Sequence, residues 1–163
     1  MGIEGISDVA NLKMEIAERQ KRQAVERLLK ALSGPGSPPV KIRITELSSF
    51  GKGTLLVLKV HFENGRCCFF SLGEKGKPAE RVADEAVDEF LRFLETDGAV
   101  DPYLADQLLL PLMLAGGTSR IRTSEISGHL LTNAAVLDAF TPGTINIRGE
   151  PGKSGTIVIR PGT

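Results

Sequence analysis

Between residues 101 and 140 the chain spells out two apolar helices with their boundaries marked, and this stretch constrains the fold more than any other. DPYLADQLLLPLMLAGG begins with Asp101 as an N-cap and Pro102 at the first helical position. Gly116 and Gly117 close it after a helix that runs to about residue 115. Pro111 lies inside and removes a backbone hydrogen bond to the Gln107 carbonyl, so a kink or loosening is expected there. A short basic strand over 119–123 follows, and then a second helix over 128–140, GHLLTNAAVLDAF. The first helix is apolar nearly all round, which demands cover on more than one side. Its polar residues Tyr103, Asp106 and Gln107 fall in one turn near the start.

The rest of the chain reads as alternating elements. Residues 3–9 form a short strand, and 13–32 an amphipathic helix with Met14, Ala17, Ala24, Val25, Leu28, Leu29 and Leu32 at helical spacing. Glu15 with Arg19, Glu18 with Arg22, and Glu26 with Lys30 are i,i+4 pairs in the favourable order. SGPGSPP at 33–39 ends that helix. Residues 40–47 alternate as a half-buried strand, and strands over 54–62 and 66–72 join through Glu63-Asn64-Gly65, a hairpin signal. Pro78 opens a helix to about Leu94, and a strand pair over 144–148 and 155–160 ends the chain.

Composition excludes several classes. Lys and Arg total 20 and Asp and Glu total 20, so bulk charge does not announce nucleic-acid binding, and any RNA contact must come from a local patch. Cys67 and Cys68 are adjacent, and neighbours in a strand face opposite ways, so a disulfide between them is not expected. With no second cysteine pair, a zinc site has no support and no metal ligands are assigned. The pattern suits the cytoplasm. Residues 1–12 lack the charged and apolar regions of a signal peptide, and Ile6 stands where myristoylation needs Ser or Thr. The apolar run at 108–115 is too short to span a bilayer.

His129 is one of only two histidines and sits where the second helix begins. Helix N-termini carry partial positive charge and unpaired N–H groups that hold phosphate oxygens. A nucleophile and a phosphate site would therefore share one location. Other signals fail on inspection. Gly152-Lys153-Ser154 lacks the preceding glycine of a phosphate loop, because Ile147 stands in its place, and a strand follows rather than a helix. Gly51-Lys52-Gly53 lacks the rest of a dinucleotide fingerprint. His61 reads as an ordinary strand residue. Arg120 and Arg122 alternate on one face of a strand, either as a solvated face or as phosphate contacts.

YLADQLLLP at 103–111, HLLTN at 129–133 and GEKG at 73–76 with Pro78 resemble the RNA 3′-terminal phosphate cyclase family. The likeness runs from about Gly5 to Phe140 in the same order, in a chain about half the length of the family's proteins. The resemblance implies an α+β fold. One β-α-β-α-β-β repeat, of the type shared with enolpyruvyl transferases, would comprise residues 1–12 and 98–163. A small thioredoxin-like α/β domain would be inserted at 13–97. It also implies that the HLLTN histidine, His129, attacks the α-phosphate of ATP, with Mg²⁺ present, and becomes adenylylated. AMP then passes to an RNA 3′-phosphate end, and the 2′-hydroxyl closes a 2′,3′-cyclic phosphate. Tyr103, Leu104, Asp106 and Gln107 correspond to the adenosine pocket. The family's acidic and basic residues for metal and triphosphate lie in the half not represented here. The expected chain is inactive alone, and a homo-oligomer or a complex with the missing half. The rival is a non-catalytic, cyclase-like interaction module in RNA processing or ribosome assembly. Such relatives lose the histidine, so His129 weighs against it. The enolpyruvyl transferases lack HLLTN.

Overall fold

The computed structural model describes residues 1–162 and is α+β, with eleven elements named here in chain order. They are β1 (Gly2–Ala10), α1 (Met14–Ala31), β2 (Val40–Glu46), β3 (Gly53–His61), β4 (Arg66–Leu72), α2 (Ala79–Leu94), α3 (Pro102–Leu114), β5 (Ser119–Thr123), α4 (Gly128–Phe140), β6 (Gly143–Arg148) and β7 (Gly155–Pro161). Sequence periodicity placed each within a residue or so of its observed bounds. Two compact units divide the chain, Met1–Arg92 and Phe93–Thr163.

The first unit is a four-stranded mixed sheet in the order β2-β1-β3-β4 with both helices on one face. β1 and β2 are parallel, joined through α1, and β3 is antiparallel to both β1 and β4. The Asn64-Gly65 hairpin forms as expected, with the Phe62 amide donating to the Gly65 carbonyl at 2.8 Å. Ala17, Ala24 and Leu28 of α1, and Val82, Ala83, Ala86, Val87 and Phe90 of α2, are fully buried. The Phe90 ring lies 5.5 Å from that of Phe69 on β4. Arg19, expected beside Glu15, reaches instead to Glu80 of α2 through two hydrogen bonds of 2.8 and 2.7 Å. A fork-to-carboxylate geometry outcompetes a single-turn pair. The GEKG turn is a glycine requirement. A Cβ on Gly73 would lie 2.3 Å from Thr54 Cγ2, and Gly76 holds φ +87°. No disulfide joins the cysteines, since Cys67 is buried and Cys68 is exposed on the other face.

One domain assignment is corrected. The strand near the N-terminus does not join residues 98–163: β1 lies inside the four-stranded sheet, laddered to β2 on one side and β3 on the other. A short strand segment does not name its partners, which are set by long-range ladders. The position it was expected to fill in the second unit is taken by a single parallel bridge, Val100 to Thr123, immediately before α3. Gly98 permits that approach, since a Cβ there would sit 2.4 Å from the Ser124 amide nitrogen.

Glu85 of α2 gives the first unit a pH dependence. Its carboxylate accepts from Lys77 and, at 2.7 Å, from the Ser71 hydroxyl. The Lys77 bond foremost, and the Ser71 bond next, hold its pKa down from 4.5 to about 2. A folded-state value below the unfolded one stabilises fully above about pH 4.5 and is lost as pH falls through about 2. Urea midpoints measured between pH 6 and 2 should therefore fall less steeply for Glu85→Gln than for wild type. Equal slopes would show the pair contributes nothing.

In the second unit a three-stranded antiparallel sheet, β5-β7-β6, carries α3 and α4 on one face. The core joins Ala105, Leu109 and Met113 of α3, Leu130 and Ala134 of α4, Ile157 and Ile159 of β7, and Ile126. The buried residues of α3 recur every fourth position and Leu112 packs beside them, so Leu110 and Leu114 are left facing outward. Leu110, Leu114, Val136 and Phe140 are all exposed, Phe140 at 83%.

Candidate functional site

The start of α4 is built by Ser127. Its backbone is extended and its hydroxyl accepts from the Leu130 amide at 3.1 Å. The first intrahelical bond runs from the Leu131 amide to the Ser127 carbonyl, at 3.2 Å. The N–H groups of Gly128 and His129 therefore have no acceptor within the helix. They lie at the positive end of its dipole, where an anion is favoured. Leu130 and Ala134 anchor α4 in the core, which leaves His129 exposed.

Asp101 caps α3 as its sequence requires, accepting from the Leu104 amide at 2.8 Å, and the helix continues through Pro111 to Leu114. Ala105 and Leu109 turn inward. Tyr103 and Gln107 are exposed, and Leu104 and Asp106 are half-buried.

A hydrogen bond from the Asn133 side-chain amide to the Asp106 carboxylate ties the two helices together. Asn133 lies one turn beyond His129 on the same face, about 6 Å along the axis. The bond thus ties the α3 turn at Asp106 to the α4 turn that follows His129. Asn133 was not among the residues assigned from sequence. Its signal was its place in HLLTN, four residues after His129. Tyr103 and Gln107 are themselves four apart and flank Asp106 on α3. The start of α4 offers an exposed imidazole and two amides without intrahelical acceptors, and the Asp106–Asn133 bond ties that helix to the one that carries the exposed Tyr103 and Gln107. That set suits a phosphorylated ligand with a planar group.

Two other candidates lie elsewhere. Arg120 and Arg122 alternate with Ile121, which packs on the helix-side core, so both project from the opposite face of the sheet. Arg122 donates to Asp97 through Nε at 2.9 Å and to Thr156 Oγ1 at 3.1 Å. The Arg122 guanidinium foremost, and the Ser154 hydroxyl next, hold the Asp97 carboxyl below its ordinary range. Gly152-Lys153-Ser154 is a turn between strands, with Gly152 at φ +76° and the Lys153 amide bonded to the Glu150 carbonyl at 3.0 Å. Among the described residues no group of three or more His, Cys, Asp and Glu could hold a metal ion, and no helix is long and apolar enough to cross a membrane.

Residues 1–95 match the family model described as RNA 3′-terminal phosphate cyclase (RTC), insert domain. Over 153 residues the chain is 40% identical to the RNA 3′-terminal phosphate cyclase of Thermococcus kodakarensis, covering 94% of this chain and 43% of that protein. The protein of the same name from Pyrococcus furiosus is 36% identical over 155 residues, 95% of this chain and 43% of its own. That of Methanopyrus kandleri is 35% identical over 163 residues, 98% of this chain and 46% of its own. The chain spans less than half the length of these relatives. From the match over residues 1–95 and the identity extending through the His129 helix, the chain belongs to the RNA 3′-terminal phosphate cyclase family.

Proposed function

We propose that the chain is the C-terminal portion of an RNA 3′-terminal phosphate cyclase and acts only when completed by the remaining half. The observation that carries the reading is the Asp106–Asn133 bond, which ties the helix bearing Tyr103 and Gln107 to the helix bearing His129. In this reading an imidazole nitrogen of His129 attacks the α-phosphorus of ATP and pyrophosphate leaves, with the Gly128 and His129 amides holding phosphate oxygens. The exposed Tyr103 ring packs against adenine, Leu104 lies beneath it, and Gln107 offers hydrogen bonds. The AMP moves to an RNA 3′-phosphate, and attack by the neighbouring 2′-hydroxyl releases AMP and closes the cyclic phosphate. Mg²⁺ accompanies the triphosphate, and the second half supplies its protein ligands.

Completion follows from electrostatics and from burial. Phosphoryl transfer depends on positioned charges around the reacting oxygens, and no arginine or lysine lies on α3 or α4. The exposed Leu110, Leu114, Val136 and Phe140 need cover. Hiding 400 Å² of such surface stabilises a complex by about 10 kcal/mol before association costs. The missing half is the cover we assign, with a second copy of this chain as the alternative. The setting is the cytosol.

The test incubates the chain with labelled ATP, Mg²⁺ and an RNA ending in a 3′-phosphate. Alone it should give no cyclic phosphate. Adding the N-terminal half of the Thermococcus kodakarensis cyclase should restore turnover and form a complex by light scattering. Robust turnover by the isolated chain would defeat the reading, as would failure of the assembled complex.

A further inference from the structure

The sheet of the second unit has a second face, and its chemistry is unlike that of the rest of the unit. Ile121, Ile145, Ile147, Ile157 and Ile159 point toward α3 and α4. The residues alternating with them point away. Register places Arg122, Thr156 and Arg148 in one row across the three strands. The next row holds Arg120, Val158 and Asn146, and the row beyond pairs Arg160 with Thr144. Carboxylates outnumber cations in this unit, yet all four of its arginines lie on this one face. Arg120, Arg148 and Arg160 are exposed, while Arg122 is engaged by Asp97.

We propose that this arginine face binds the phosphodiester backbone of single-stranded RNA, without sequence preference. Spacing favours a polymer over a single anion. Arg122 and Arg148 are two strand spacings apart, about 10 Å, and successive rows are about 7 Å apart. One phosphate cannot bridge such a patch, whereas consecutive phosphates of a strand laid across it can. Asn146, Thr144 and Thr156 place amide and hydroxyl groups between the guanidinium groups, where ribose 2′-hydroxyls would pass. No aromatic residue lies on the three strands, so binding rests on the backbone and not on base stacking. Naming the polymer as RNA rests on the cyclase reading above. The face is separate from the His129 surface, and it would hold the body of the strand while its end is processed.

The experiment measures binding of the full chain to a fluorescent 15-nucleotide RNA ending in a 3′-hydroxyl. It uses anisotropy from 50 to 200 mM salt and no ATP, so failure of the adenylylation chemistry leaves it unaffected. Each phosphate contact contributes about −0.7 to the slope of log affinity against log salt for single strands. The variant R120E/R148E/R160E should flatten the slope by about 2 and weaken binding at least tenfold at 50 mM salt. R120Q/R148Q/R160Q, which keeps the side chains long, should flatten it similarly and guards against misfolding, with circular dichroism of both variants as the check. K13E/R22E/K30E makes the same charge change on α1 and its N-cap and should leave the slope unchanged. The proposal falls if wild type shows no binding at 50 mM salt, if the glutamine variant keeps the wild-type slope, or if the α1 variant loses as much. A wild-type dimer that the arginine substitutions dissociate, with no RNA bound, would equally overturn it.

Discussion

His129→Ala is expected to abolish transfer of AMP from ATP to protein in the assembled enzyme, lowering the rate at least a thousandfold. That corresponds to about 4 kcal/mol of transition-state stabilisation. The size of the effect follows from the role proposed for it: a nucleophile that forms the covalent intermediate has no substitute among its neighbours. Asn133, one turn away, is committed to Asp106. Because His129 is exposed, the substitution should change stability by no more than about 0.5 kcal/mol. The measurement is label retained on the protein after incubation with α-labelled ATP in the presence of the N-terminal half. Undiminished labelling in the alanine variant would move the nucleophile elsewhere. A parallel loss of folding would make the histidine structural, which its exposure contradicts.

Leu130→Ala should produce the largest loss of stability in the second unit, about 2–5 kcal/mol. Leu130 is fully buried and joins α4 to the core shared with Leu109, Met113, Ile157 and Ile159. Truncation leaves a cavity among residues held on both helices and the sheet, which cannot all relax into it. A unit of about 70 residues has only about 4–10 kcal/mol in total, so the variant is left near its unfolding threshold. The chain has one tyrosine and no tryptophan, and that tyrosine, Tyr103, sits on α3. Its near-ultraviolet signal therefore reports this unit alone, and its urea midpoint gives the loss directly. A shift below about 1 kcal/mol would show that α4 is not held by this core. The His129 surface depends on the same anchor, so AMP transfer should fall together with the Tyr103 signal as urea is raised.

The two predictions separate what the local sequence encodes from what packing adds. Asp101, Pro102, Gly128 before the apolar run and the paired glycines after Ala115 are local signals. A cap or a left-handed turn depends on neighbours within a few residues, so the bounds of α3 and α4 were legible without a structure. The Asn-Gly hairpin and the GEKG turn were legible for the same reason. His129 at a helix start was equally visible, as was its likeness to the cyclase nucleophile. The inward set of α3 was not, because a helix apolar on nearly every side does not say which leucines face a core.

What only the tertiary structure decided concerns partners distant in sequence. Residues 3–9 read as a strand, but a strand segment by itself names neither the sheet nor the neighbours. The choice of β2 and β3 over the second unit rested on long-range ladders. Arg19 chose Glu80, 61 residues away, over the nearby Glu15, since a two-pronged bond outweighs a single-turn attraction. Asn133 pairs with Asp106, 27 residues before it, a partner that only the packing of α3 against α4 supplies. The four arginines of the second unit, spread over 41 positions from Arg120 to Arg160, became one surface only when strand register aligned them. Local structure is written in short-range backbone preferences. A functional surface is written in pairings that chain entropy leaves undetermined until the core closes.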